Sequence, residues 1–287
     1  LSPTFRSLSI WPDSRIWGLL FLCFSIYYFL LFKKKKKFSY CIYVILFYTI
    51  SSYFSPNFSV FSIYFMLYFF KSLDIIKTVQ LFILNLVLSF PALYYVLILD
   101  INFMFSASAV PGGIDSVNNI NFFNKILIIS SIVFFYLIPF LVSKSINFQF
   151  NKINLKNLIF LVVLFFISLY FFDYKFKYTG GGFFFQISNF LFNNNLFFFI
   201  VALFSLILNY VIFIKPNKNL LIIFLLILSN PQLTIYHKYY DPFLLILFLT
   251  LFDLDLIKKK LFSQKSMNIF YLFSLFFLIL SISKSYV

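Results

Sequence analysis

Apolar runs long enough to cross a lipid bilayer recur from end to end of this 287-residue chain. A helix needs about 20 consecutive apolar residues to span the hydrocarbon layer, and within lipid only helices or closed barrels satisfy their own backbone. The runs therefore predict an all-α, polytopic transmembrane helical bundle. The composition agrees, because only 11% of the residues are charged whereas soluble domains carry about 25%.

We expect one transmembrane domain over residues 1–287, with irregular or re-entrant segments on its outer face. Because the chain begins with Leu1 rather than Met, we also expect the domain to be incomplete at the N-terminus. About ten candidate spans can be read from the apolar runs. They cover residues 16–32, 38–54, 58–70, 78–99, 126–143, 157–172, 196–214, 220–235, 242–257 and 267–283.

The lysines indicate the orientation of these spans. Most basic residues fall in alternate connections, and the positive-inside rule places those connections in the cytoplasm. They are residues 33–37, Lys71, Lys77, Lys144, Lys152, Lys156, Lys215, Lys218, residues 258–260 and Lys265. The net charge of +15 is thus explained by topology, and we expect no nucleic-acid partner. The longer, chemically varied loops lie on the opposite side, so a site would open to the periplasm or lumen.

The best candidate for a site is the histidine segment, residues 229–242, which holds the only histidine of the chain. Charge and polar backbone survive near membrane depth only when protein or a water-filled cavity surrounds them. His237 can be a hydrogen-bonded packing residue, or it can bind a phosphate together with Lys238. Tyr236 and Tyr240 would add hydroxyl donors, or they belong to an aromatic belt at headgroup level.

Two carboxylates and both arginines complete the polar candidates. Asp241 precedes a proline, which is typical of a helix start capped by aspartate; the same carboxylate can also line a cavity. Arg6 and Arg15 are the only arginines, and arginine reads phosphate and carboxylate groups in a bidentate manner. Arg15 can instead pair with Asp13 at the start of the first span.

A glycine segment, residues 180–182, follows Tyr178. It can be a plain turn, or a backbone nest that lets the chain approach a phosphate. Gln186 would face a ligand if the chain re-enters the membrane there. The two cysteines lie inside apolar runs and form no metal pattern. We expect no cofactor and leave a divalent metal open.

The chain resembles the GT-C class of membrane glycosyltransferases. The resemblance rests on residues 2–7, Ser-Pro-Thr-Phe-Arg-Ser, leading through Trp11 into an aromatic-rich span, and on residues 236–242, Tyr-His-Lys-Tyr-Tyr-Asp-Pro. It implies a polyprenyl-phosphate-linked sugar donor and a catalytic acid in the first outer loop. No Asp-Glu or Asp-Asp pair occurs in an outer loop of this chain. We therefore expect the main carboxylate upstream of residue 1, with Asp13 or Asp241 as the fallback.

The expected function is transfer of a sugar from a polyprenyl-phosphate donor to a glycan, lipid or protein acceptor at the periplasmic or lumenal face. Arg6, His237 and Lys238 would hold the donor phosphate. The expected location is the bacterial inner membrane, or the ER membrane in a eukaryote. The alternatives are a transporter or flippase of lipid-linked sugars, which also suits short and broken helices, and a polysaccharide polymerase or ligase.

Overall fold

The computed structural model describes residues 14–99, 121–146, 154–175, 180–213, 217–230, 234–254 and 258–283. Every element in these ranges is helical, which confirms the all-α prediction. In chain order the α-helices are α1 (Ser14–Lys35), α2 (Phe38–Phe54), α3 (Ser62–Ser72), α4 (Ile75–Leu97), α5 (Phe122–Val142), α6 (Leu155–Tyr170), α7 (Gly182–Phe192), α8 (Leu196–Phe213), α9 (Asn217–Leu228), α10 (Phe243–Thr250), α11 (Lys258–Leu261) and α12 (Gln264–Ser283). Short 3₁₀ helices cover Pro56–Phe61 and His237–Tyr239.

Four of these helices are long and apolar enough to cross a membrane: α1, most of α4, α5 and α8. They make the chain compatible with an integral membrane protein. The count of about ten spans is not confirmed, because only these four of the described helices combine the length and the hydropathy that a span requires. The largest departure is α10, whose eight residues cover only about 12 Å where the apolar runs predicted a span over residues 242–257.

The helices form two compact units. In the described part of the chain, the first contains residues 14–99 and 221–230, and the second contains residues 121–220 and 234–283 apart from the gaps given above. Helix α9 starts in the second unit and continues into the first.

The first unit is built on the close pair of α1 and α2. The Ser25 hydroxyl donates to the Val44 carbonyl oxygen over 3.0 Å, and the Ser51 hydroxyl donates to the Gly18 carbonyl oxygen over 2.6 Å. A Cβ atom at Gly18 would lie 2.8 Å from the Cβ atom of Ser55. Glycine and serine thus bring the two helices together, as small residues do in membrane helix pairs.

The second unit is built around α5, most of which is buried. The Phe135 ring packs 4.8 Å from Phe273 of α12 and 4.8 Å from Phe183 of α7, measured between ring centroids. On α8, the Asn209 side chain donates to the Ser130 carbonyl oxygen over 3.1 Å. Helix α5 therefore supplies the wall against which the other elements of this unit pack, including the histidine segment.

Candidate functional site

The end of α10 fixes the depth at which the histidine segment can lie. Beyond α10, the Asp253 backbone N–H donates to Asn219 Oδ1 over 2.9 Å, and Lys218 Nζ lies 2.7 Å from Asp253 Oδ2. Helix α10 leads back from this anchored point over only about 12 Å. Asp241 immediately precedes Pro242 and α10. It is therefore separated from the Lys218–Asp253 pair by little more than the length of α10.

The contacts with α5 give the same depth. His237 and Asp241 both meet Tyr136. At 1.5 Å per residue, Tyr136 lies about 21 Å from Phe122 at one end of α5 and about 9 Å from Val142 at the other. Residues 237–241 therefore lie alongside α5 rather than beyond its end.

His237 is enclosed by aromatic rings. Its ring centroid lies 5.1 Å from that of Phe135, 5.2 Å from that of Tyr136 and 5.0 Å from that of Phe277. The Nε2 atom is buried and has no hydrogen-bond partner among the described residues. Burial lowers the pKa of His237 to about 3, so the ring is neutral at pH 7. Of the two expectations for His237, packing is what the structure shows, and the phosphate contact stays a prediction.

Asp241 brings a carboxylate into the same place. Its side chain is 4% exposed, and its carboxylate lies next to the buried Tyr136 hydroxyl, with which it interacts electrostatically. The structure places Pro242, rather than Asp241, at the cap position of α10. Of the two readings of Asp241, the cap of the next helix is therefore wrong, whereas the buried carboxylate is present.

The glycine segment packs against the histidine segment. The Gly181 backbone N–H donates to the Ile235 carbonyl oxygen over 2.8 Å, and the Ile235 N–H donates to the Tyr174 hydroxyl over 3.2 Å. The Gln186 side chain donates to the Gly180 carbonyl oxygen. The glycine segment and the histidine segment, which the sequence singled out separately, are thus in contact. Gln186 stabilises this contact through its bond to Gly180.

Lys238 and its neighbouring tyrosines differ in their exposure to solvent. The exposed Lys238 ammonium lies 5.0 Å from the centre of the Tyr236 ring, and the Tyr236 ring packs edge-on against Tyr239 at 5.5 Å. Tyr240, in contrast, is buried. The structure therefore separates an exposed basic residue, Lys238, from a polar core formed by the buried Tyr240 and Asp241 with the half-buried His237 ring.

The remaining predicted residues belong to the first unit or lie outside the described part of the chain. Arg15 is half-buried in the first unit, at the start of α1. Arg6, Asp13 and Tyr178 lie outside the described residues. Within the described ranges, no group of three or more His, Cys, Asp or Glu side chains could hold a metal ion.

Two buried polar residues of α5 were not singled out by the sequence: Tyr136 in the candidate site, and Lys125 about 16 Å away along the helix. Tyr136 looks like one more aromatic residue in an apolar run, and its partner Asp241 lies far away in the chain. Lys125 is the other, with a buried side chain. The sequence signal for Lys125 is its position directly before the apolar run of residues 126–143.

Comparisons of the chain with protein family models, with curated proteins and with solved structures find no match.

Proposed function

We propose that the protein is an integral membrane glycosyltransferase, similar to the GT-C class, which moves a sugar from a polyprenyl-phosphate donor to an acceptor hydroxyl. One observation carries the proposal: the carboxylate of Asp241 is buried against the Tyr136 hydroxyl beside the neutral ring of His237. A carboxylate placed at depth is expensive, and such groups mark functional sites in membrane proteins.

In this proposal Asp241 is the general base. The acceptor oxygen attacks the anomeric carbon of the donor sugar, the bond from that carbon to the phosphate oxygen breaks, and the acceptor proton moves to the Asp241 carboxylate. The polyprenyl phosphate leaves with the electron pair. Tyr136 orients the carboxylate, and the neutral His237 can donate one N–H bond to a sugar hydroxyl. The exposed Lys238 would attract the donor phosphate at the edge of the site.

The membrane arrangement is part of the proposal. The lysine pattern supports about ten crossings, with shorter helices such as α2 and α6 completing the four long ones, in a bacterial inner membrane or the ER membrane. The site would open to the periplasm or lumen. Because Tyr136 lies about 21 Å from the Phe122 end of α5, the sugar would have to reach deep into the bundle from that side.

The depth of Asp241 also favours a second candidate, a transporter or flippase of lipid-linked sugars. Transporters commonly place substrate and ion sites near the bilayer midplane, at helices that are broken there. The short α10 and the buried carboxylate before it have this form. A transporter would move the lipid-linked sugar without breaking its bond to phosphate.

Purified full-length protein incubated with labelled polyprenyl-phosphate sugars separates these candidates. We expect release of polyprenyl phosphate, and we expect Asp241→Asn to lower its rate by a factor of about 100 or more. The matched control is Asp253→Asn, which changes an exposed carboxylate paired with Lys218 and should transfer sugar at the wild-type rate. Unchanged release by Asp241→Asn would refute the site. Movement of intact labelled lipid across vesicles, without release, would support the transporter.

A further inference from the structure

Lys125 is a basic residue with a buried side chain. Its side chain is 2% exposed, and its Nζ atom has no hydrogen-bond partner among the described residues. An isolated ammonium is unfavourable away from water, because the charge loses its hydration without gaining a counter-charge. Buried ionisable groups of this kind commonly have a function in membrane proteins.

The described carboxylate that contacts the start of α5, Asp173, is bound by asparagine side chains. Asp173 Oδ1 accepts from the Asn121 side-chain amide over 2.8 Å and from the Asn124 side-chain amide over 2.5 Å. The Asp173 backbone N–H also donates to Asn124 Oδ1 over 3.1 Å. Asp173 is thus held by two asparagine amides, and no ion pair joins it to Lys125 in the described structure.

The Lys125 ammonium lies at the positive end of a long helix. Its Nζ atom is 5.1 Å from the centre of the Phe122 ring, and Phe122 is the first residue of α5. The N-terminus of a helix carries a partial positive charge and attracts anions. Asn121 Oδ1 already accepts from the Phe123 and Asn124 N–H groups, so the Lys125 ammonium is the positive group that an anion at this end would stabilise most.

The level of Lys125 suggests which anion. Helix α5 is one of the four candidate membrane spans, and its length of about 31 Å matches the hydrocarbon layer. Its first turn therefore lies at the level of lipid phosphates. The Phe122 ring, which is 46% exposed, lies beside the ammonium and offers apolar surface to a lipid chain. A small soluble ion would gain nothing from that surface.

We propose that Lys125 and the first turn of α5 form a binding site for the phosphate group of a lipid. Rotation of the Phe122 side chain would uncover the ammonium, and the chain of the lipid would take the place of the ring along α5. The site goes beyond the proposed function, because Lys125 lies about 16 Å from Tyr136 along α5 and a phosphate bound there is distinct from the donor phosphate beside Asp241. It does not require sugar transfer, because a non-catalytic protein could bind the same group.

The test measures binding by purified full-length protein in detergent, with three probes: undecaprenyl phosphate, phosphatidylglycerol and inorganic phosphate. We expect at least one lipid to bind, and inorganic phosphate at the same concentration to bind neither directly nor in competition. Lys125→Gln should weaken lipid binding about 10-fold or more, since it removes a charged hydrogen bond, whereas Lys125→Arg should retain it. The control Lys77→Gln alters an exposed lysine paired with Asp74 and should bind like the wild type.

Three outcomes would overturn the site: no lipid binds, inorganic phosphate binds as well as the lipids do, or Lys125→Gln binds lipid with unchanged affinity. Thermal stability without lipid separates misfolding from lost binding. Lys125→Gln and Lys125→Met should melt at or above the wild-type temperature, because each removes a desolvated charge. Since these measurements involve no sugar donor, their failure and failure of sugar transfer can be told apart.

Discussion

At the scale of single residues, His237 shows how burial decides chemistry. Its type and its lysine neighbour suggested a phosphate ligand, but aromatic rings surround it and its pKa is lowered to about 3. The folded protein therefore holds the neutral ring, while the unfolded chain protonates near the ordinary histidine pKa of about 6.5. The protonation state of His237 therefore depends on three aromatic rings from other parts of the chain.

This difference predicts an acid-sensitive fold. Between pH 6.5 and about 3 the unfolded chain binds a proton that the folded chain does not, so stability falls as the pH falls, by up to about 1.4 kcal/mol per pH unit from this group. Above pH 6.5 the histidine is neutral in both the folded and the unfolded chain, so it no longer makes the stability depend on pH. His237→Phe keeps an aromatic ring without a titrating nitrogen, so its melting temperature should fall less on acidification than that of the wild type.

Melting curves in detergent at pH 7, 6, 5 and 4 provide the measurement. The aromatic control Tyr271→Phe changes an exposed ring and should follow the wild-type profile. Parallel profiles for His237→Phe and the wild type would show that His237 is not buried in its neutral form.

At the scale of elements, the junction between the glycine and histidine segments depends on a backbone conformation that side chains disfavour. Gly180 has φ of 116°, and a Cβ atom there would lie 2.5 Å from the Ile235 carbonyl oxygen. Gly180→Ala would therefore strain the turn and push the histidine segment away. We expect a loss of about 2 kcal/mol or more, which lowers the melting temperature by about 4 °C or more.

The matched change is Asn193→Gly, at an exposed residue with φ of 52°. Glycine adopts this conformation freely, so the control should melt near the wild-type temperature. If Gly180→Ala also melts near the wild-type temperature, the close approach of the glycine segment to Ile235 is not what holds the two segments together.

The elements also show what hydropathy can and cannot predict. The positions of α1, α2, α5, α8 and α12 follow from the apolar runs, because a long run leaves the backbone no alternative in lipid. The short α10 could not be read in this way, since its apolar run continues past the point where the helix ends. The junction with the glycine segment and the Tyr136–Asp241 contact join residues distant in sequence, and no local pattern encodes such pairs.

At the scale of the whole molecule, the distribution of lysine predicts which connections share a side of the membrane. Residues 33–37 and Lys265 belong to the lysine-rich connections, whereas Asn194 lies in the connection of residues 173–195, which the same pattern places on the opposite side. In a background with Cys23→Ala and Cys41→Ala, we place single cysteines at three exposed positions, Lys34, Lys265 and Asn194. Cysteines at Lys34 and Lys265 should react with a membrane-impermeant maleimide from one side, and a cysteine at Asn194 from the other.

A fourth cysteine, in place of Lys238, connects this topology to function. Lys238 is exposed at the edge of the buried core that contains Asp241. If that core opens to the periplasm or lumen, as sugar transfer there requires, the maleimide should reach this cysteine from the Asn194 side, more slowly than it reaches Asn194 itself because the site is deep. A polyprenyl-phosphate sugar should slow the reaction further by filling the opening. Labelling from the Lys34 side alone would place the opening in the cytoplasm and contradict the proposed orientation, and labelling from both sides would favour the transporter.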